Sequence, residues 1–181
     1  MKVEKTSIEG VLVFTPTVFG DERGYFFESF NQKDFEQAIG ERVTFVQDNQ
    51  SMSQKGVLRG LHFQNPPYAQ GKLVRVLSGS VLDVAVDIRK KSPTYGKHFS
   101  IELSPKEQKM VWLPAGIAHG FVALEDDTAF FYKCSNYYNK ESEGSVLWND
   151  KDLNIDWKIK NPILSEKDKN AIPFKQFNSQ F

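Results

Sequence analysis

Cysteine is almost absent from this chain of 181 residues. The single Cys134 allows no internal disulfide, and its neighbourhood FFYKCS offers no second thiol at metal-binding spacing. A reducing, cytoplasmic setting suits such a sequence. There is no excess of charge either: Lys plus Arg and Asp plus Glu both total 23, so the net charge is zero and no basic field invites nucleic acid as a partner. Any anionic ligand must therefore be met by local cations. Long apolar runs are missing. The opening MKVEKTSIEG lacks the core of a signal peptide, and no window approaches the roughly eighteen apolar residues that span a bilayer, so no membrane partner is expected. A Walker-type or dinucleotide-binding glycine loop, a Gly-x-Ser-x-Gly elbow and a fixed-period repeat are absent as well. Nucleotide hydrolysis, hydride transfer, serine esterase chemistry and solenoid architectures lose their support. With no Gly/Ser-rich linker, residues 1–181 read as one domain of a length that buries a real core.

What the chain does have is aromatic residues at 13%, fifteen of them Phe, and many short Val/Leu runs broken by Gly, Pro, Asp and Ser. Such runs favour strands over helices. KLVRVLSGSVLDVAVDIR reads as a hairpin around Ser78-Gly79-Ser80. In its second arm Leu82, Val84, Val86 and Ile88 alternate with Val81, Asp83, Ala85 and Asp87, so the polar groups share one face. A two-residue loop would set Lys72 opposite Asp87; a three-residue loop would set Arg75 opposite Asp83. KMVWLPAGIAHGFVALEDDTAFFYKCS reads as a second meander, with strands ending at Leu113, running from Phe121 to Leu124 and from Thr128 to Cys134. Helical signals are confined to NQKDFEQAIG, between an Asn31 cap and Gly40, and to SEKDKN, where Ser165 precedes Asp168 by three. The expected architecture is all-β: a closed sandwich or small barrel of the jelly-roll kind, with a few short peripheral helices.

Polar residues set among apolar strands are the candidates for chemistry. His62 lies within the run Leu58 to Phe63, with Arg59 upstream, Lys72 beyond a Gly/Pro loop, and His119 in the second meander. Arg59 and His62 have opposite strand parity, so both face one cavity only if a bulge at Gly60 shifts the alternation. Taken singly, each has a bland alternative. His62 can be a packed or surface histidine, His119 can bond backbone in a turn built by Pro114 and Gly116, and Tyr132 can be a core aromatic needing a hydrogen-bond partner. Lys72 can be a solvated strand end, and Asp168 a first-turn helical acid. A metal would want three or four ligands, and Phe63 and Gln64 stand where LHFQN would have to supply more.

Together, QDNQS, GVLRGLHFQ, AQGKLVRVLSG, VDIR, YGKH, VWLPAGIAHGF, YKCSNYY, ESEGSVLWND and IDW, in this order over nearly the whole chain, resemble the dTDP-4-dehydrorhamnose 3,5-epimerase family. That resemblance implies a cupin-like jelly-roll homodimer that uses neither metal nor other cofactor. Its implied reaction inverts C3 and C5 of dTDP-4-dehydro-6-deoxy-glucose. By position, His62 matches the catalytic base, Tyr132 the proton donor on the opposite face of the sugar, and Asp168 the acid paired with that histidine. Lys72, Arg59 and His119 match residues around the sugar and pyrophosphate. Arg23, Glu28, Gln47, Asn49, Glu143 and Lys167 match nucleotide-sugar contacts, and Tyr138 the aromatic that stacks on thymine. Two departures stand out. Gln50, Ser51 and Met52 occupy the place of a usual His-Ser-Arg, and Phe63 that of a common tyrosine.

The implied chemistry accounts for the residue types. A C–H beside a ketone is far less acidic than imidazolium at ~6.5, and each unit of mismatch costs ~1.36 kcal/mol, so the enolate must be stabilised where it forms. An ammonium aimed at the C4 oxygen does so, an aspartate holds the imidazole tautomer, and inversion requires a proton from the other face. The rival readings are an epimerase acting at C3 or C5 alone, a 3,4-ketoisomerase, a non-catalytic nucleotide-sugar-binding cupin and a metal-dependent dioxygenase. The lack of a His-x-His pair weighs against the last.

Overall fold

The computed structural model describes residues 1–181. Along the first third run β1 (Lys2–Lys5), β2 (Leu12–Thr15), β3 (Phe19–Asp21), β4 (Gly24–Phe26), α1 (Gln32–Ile39), β5 (Gln47–Ser53) and β6 (Leu58–Gln64). Then follow β7 (Lys72–Ser78), β8 (Val81–Asp87), β9 (His98–Leu103), β10 (Met110–Leu113), β11 (Ile117–Ala123), β12 (Thr128–Cys134), β13 (Glu143–Ser145) and α2 (Glu166–Lys169). The strands make a six-stranded sheet in the order β1-β2-β10-β7-β12-β5 and a five-stranded sheet in the order β13-β6-β11-β8-β9, with β3-β4 as a separate hairpin. All strand pairs are antiparallel. This is the expected jelly roll of cupin type, two sheets closing on a shared interior.

Apolar residues of both sheets fill one end of that interior. Val74, Val76, Val111 and Phe130 of the six-stranded sheet pack with Ala85, Ile117 and Phe121 of the five-stranded one. The outer faces are covered too. Leu82, Val84, Val86, Ile88, Ala118 and Val122 lie beneath Leu153, Trp157, Phe174, Phe177 and Phe181 of the C-terminal segment. On the opposite side Phe35 of α1 seats its ring edge-on against Trp112, with centroids 5.2 Å apart, over Leu12, Phe14, Leu73 and Met110. The helix signals act as expected: the Asn31 side chain accepts from Asp34 N–H at 3.2 Å, and Gly40, at φ +78°, ends the helix. No helix is long and apolar enough to cross a membrane.

Two expected strand pairings are corrected. β7 and β8 do not form a hairpin: the Ser78-Gly79-Ser80 turn carries the chain from one sheet to the other. β10, β11 and β12 likewise alternate between sheets and form no meander. A tight turn looks the same in sequence whether its strands pair or face each other across a sandwich, and β8 is buried on both faces, so alternation did not decide its partner. Neither Lys72–Asp87 nor Arg75–Asp83 is formed. Asp87 pairs with Arg89 at 2.8 Å and Asp83 with His119 at 2.7 Å. The apolar face of β8 turns outward under the C-terminal segment, and the face bearing Asp83 turns inward. β11 also begins earlier than expected, which places His119 within a strand and not in a turn.

Candidate active site

The unfilled end of the interior is a cavity of about 400 Å³. The five-stranded sheet gives it Arg59, His62 and His119; the six-stranded sheet gives it Lys72 and Tyr132. Its apolar lining includes Phe121 and Phe130. Arg59 and His62 share this space because β6 does bulge. His62 lies opposite His119 and Arg59 opposite Phe121, so three steps on β6 match two on β11. Gly60, at φ +142°, makes this possible. A Cβ there would stand 2.5 Å from Gly120 Cα, and one on Gly120 would stand 2.8 Å from the Arg59 carbonyl, so both positions need glycine.

His62 is oriented by a carboxylate. Its Nε2 lies 2.5 Å from Oδ1 of Asp168, which is 2% exposed, while Oδ2 accepts from Ser165 Oγ at 2.7 Å. Ser165 also caps α2 by accepting from Asp168 N–H at 3.2 Å. The strand of chain before α2 is docked on β6 by Leu58 N–H donating to the Ile163 carbonyl at 3.0 Å. Burial alone would raise the Asp168 carboxyl, but hydrogen bonds from His62 and Ser165 and the charges of His62 and Lys167 more than offset it and hold it below the usual range. An ionised Asp168 takes the Nε2 proton as its hydrogen bond and leaves Nδ1 as the free ring nitrogen. His119 has a partner of the same kind: Nε2 lies 2.7 Å from Oδ2 of Asp83, itself 1% exposed, and the ring stacks on Phe130. Neither pair is joined by a third His, Cys, Asp or Glu in a cluster that could hold a metal.

The facing wall is built from two neighbouring strands. Lys72 of β7 is registered with Cys134 of β12, and its Nζ stands 5.9 Å from the centre of the Tyr132 ring. Lys72 forms no ion pair. Burial lowers its pKa from the ordinary lysine value, against the pull of Cys134, Glu143 and Asp83. Tyr132 is pushed the other way: burial raises the phenol, so it stays protonated at neutral pH. Tyr132 lines the cavity, whereas Lys133 on the other face pairs with Asp48 at 2.9 Å.

A second compartment of about 310 Å³ shares His62, Lys72 and Tyr132 with the first and adds Gln47, Asn49, Tyr138 and Glu143. Its polar groups are linked. Gln47 accepts from Tyr138 N–H at 3.0 Å and donates to Asn49 at 3.1 Å, and Glu143 pairs with Lys167 at 2.5 Å. Tyr138 is 54% exposed. Two expected residues lie elsewhere in the chain. Arg23 sits on the β3-β4 hairpin, paired with Asp21, and Glu28 accepts from Asn31 at 3.3 Å beside α1. Sequence reasoning missed Asp83 and Ser165, the partners of His119 and Asp168. The only available signals were the polar face of β8 and the Ser165 cap.

A family model described as dTDP-4-dehydrorhamnose 3,5-epimerase matches residues 5–176. The chain belongs to that family. It is 58% identical over 174 residues to the dTDP-4-dehydrorhamnose 3,5-epimerase of Shigella flexneri, covering 96% of each protein. Among solved structures, it is similar to the dTDP-6-deoxy-D-glucose-3,5-epimerase of Legionella pneumophila in complex with dTDP-4-keto-L-rhamnose. That match has a TM-score of 0.93 and 46% identity, over 98% of this chain and 94% of the other. It also resembles a 3'-monoepimerase from Streptomyces bikiniensis in complex with dTDP-quinovose, with a TM-score of 0.88 and 37% identity, over 93% and 85% of the two chains.

Proposed function

We propose that residues 1–181 act as one catalytic domain that epimerises dTDP-4-dehydro-6-deoxy-D-glucose at C3 and C5, giving dTDP-4-dehydro-L-rhamnose. The observation that carries this reading is the placement of His62 and Tyr132 on facing sheets of one cavity, with Lys72 beside Tyr132 on the same wall and no carboxylate on its ammonium. C3 and C5 both flank the C4 ketone, so one cation at the C4 oxygen serves both inversions. His62, with Asp168 on Nε2, removes the proton through Nδ1. The negative charge moves to the C4 oxygen, where Lys72 lacks a counterion and gains one. Tyr132 then delivers a proton to carbon from the other wall. Its raised pKa is no obstacle, because the enolate carbon is a far stronger base than a phenolate.

The second compartment suits the nucleotide: Tyr138 for the base, with Gln47, Asn49, Glu143 and its partner Lys167 around the sugar-nucleotide. Arg59, which borders the first cavity, takes the diphosphate. His119, fixed by Asp83, bounds the hexose. Arg23 and Glu28 enter this scheme through a homodimer. The β3-β4 hairpin that carries Arg23 exposes Phe19, Tyr25 and Phe26 at 63%, 64% and 67%, an apolar surface suited to a second copy, whose cavity Arg23 and Glu28 would complete. The setting is cytoplasmic, in keeping with one unpaired buried thiol.

A monoepimerase acting at C3 uses the same first step, so the test must follow both carbons. Proton NMR of the protein with dTDP-4-dehydro-6-deoxy-D-glucose in deuterated water is expected to show exchange and inversion at C3 and at C5. In His62→Ala both exchanges disappear while the fold survives. Inversion at C3 alone would replace the reading with the monofunctional one, and unchanged exchange in His62→Ala would remove His62 as base.

A further inference from the structure

Ser53 closes β5 and is 3% exposed, although it is a polar residue on an edge strand. Its side chain turns inward, and its Oγ accepts a hydrogen bond from Arg59 Nε at 3.2 Å. Next to it, the Met52 carbonyl accepts from Arg59 Nη2 at 3.3 Å. Nε and Nη2 form one edge of the planar guanidinium. Two consecutive residues of β5 therefore occupy that edge, and no carboxylate pairs with Arg59. The remaining edge, carrying Nη1, has no protein partner, and Arg59 borders the cavity.

We infer that Ser53 is a positioning residue for the diphosphate: with the Met52 carbonyl, it holds the Arg59 fork so that its free edge meets the nucleotide's phosphate oxygens. This rests on the reading of Arg59 as a diphosphate contact. The bulge at Gly60 makes the support necessary. Arg59 stands immediately before the break in the β6-β11 register, and a long side chain there has several rotamers to lose on binding an anion. The hydroxyl is well suited to the task because it accepts the Nε proton without adding charge. A carboxylate in its place would neutralise the guanidinium and compete with the phosphates, as Asp87 does for Arg89 through Oδ1 and Oδ2. An ordered fork also meets two phosphate oxygens at once, which a mobile one does not.

The test is binding of dTDP and of thymidine by calorimetry to the wild-type protein, Ser53→Ala, Arg59→Ala and the double variant. Ser53→Ala is expected to weaken dTDP about tenfold, ~1.4 kcal/mol by the usual conversion, while thymidine affinity stays within twofold and reports that the fold is intact. In the Arg59→Ala background, Ser53→Ala should change nothing further, because the group it positions has gone. In turnover, the Ser53→Ala defect falls on KM and spares kcat. Unchanged dTDP affinity in Ser53→Ala would overturn the inference, as would equal weakening of dTDP and thymidine, which marks a packing defect. Failure of the underlying reading looks different: the wild-type protein itself would bind dTDP no more tightly than thymidine, or Arg59→Ala would bind dTDP as the wild type does.

Discussion

At the scale of single residues, the site rests on two groups whose pKa values are moved in opposite directions by one cause. Burial lowers Lys72, because the charged form is the cation, and raises Tyr132, because the charged form is the anion. Both shifts affect the alkaline side of the rate profile, but only one falls within reach. Lys72 loses its proton below the ordinary lysine value of ~10.4, whereas Tyr132 holds its own beyond ~10. On the proposed mechanism, kcat/KM is therefore expected to decline on the alkaline side at a pH below the ordinary lysine range, because the Lys72 ammonium is lost. Tyr132→Phe separates the two: hydrogen exchange at C3 and C5 should persist in it without full inversion, and should keep the same alkaline limb. Disappearance of the limb in that variant would assign it to the phenol. His62, Lys72 and Tyr132 stand out in the sequence because they are polar residues in apolar runs. Ser53 and Asp83 do not, since their roles come from contacts with Arg59 and His119 that depend on strand register across the fold.

At the scale of elements, β6 is decisive. Leu58, Leu61 and Phe63 pack outward under the C-terminal segment while Arg59 and His62 turn to the cavity, an arrangement that regular alternation forbids. The opposite parity of Arg59 and His62 already required a bulge at Gly60, and that much was readable. The pairing of β7 and β8 was not, because Ser78-Gly79-Ser80 serves a sheet-to-sheet turn as well as a hairpin. The docking of α2 was only half readable: its Ser165 cap is local, but the reach of Asp168 to His62 spans 106 residues. The bulge makes a firm prediction. In Gly60→Ala the new methyl meets Gly120 Cα at 2.5 Å and the His119 carbonyl at 3.0 Å, so β6 must move from β11 or lose the bulge. Such overpacking costs roughly 1–3 kcal/mol, which lowers the midpoint of thermal unfolding by several degrees in a chain of this size. Exchange at C3 and C5 should fall with it, because His62 is displaced from its position facing Tyr132. A variant with wild-type midpoint and wild-type exchange would show that the glycine pair is dispensable.

At the scale of the whole molecule, a sandwich with covered outer faces leaves one place for chemistry, the open end between the sheets, and supplies the two walls that inversion needs. A chain with no net charge also cannot draw a nucleotide diphosphate by its overall field, so its cations must be placed one by one. Arg59 and Lys72 come from the strands around the cavity, while Arg23 rides on a hairpin whose large aromatics face water in the isolated chain. The homodimer reading turns this into a measurement of shared sites. If His62 comes from one subunit and Arg23 from its partner, Arg23→Ala and His62→Ala homodimers each carry two damaged sites. A mixed dimer of the two variants has one doubly damaged site and one intact site. Random co-assembly of equal amounts makes half of all dimers mixed, so activity should recover to about a quarter of the wild-type value per subunit, given the closed two-fold pairing usual for such assemblies. Co-expression with two affinity tags, followed by purification of the doubly tagged species, raises the expected value to about half. A mixed species no more active than its parents would place Arg23 and His62 in the same subunit's site and end the case for a shared cavity.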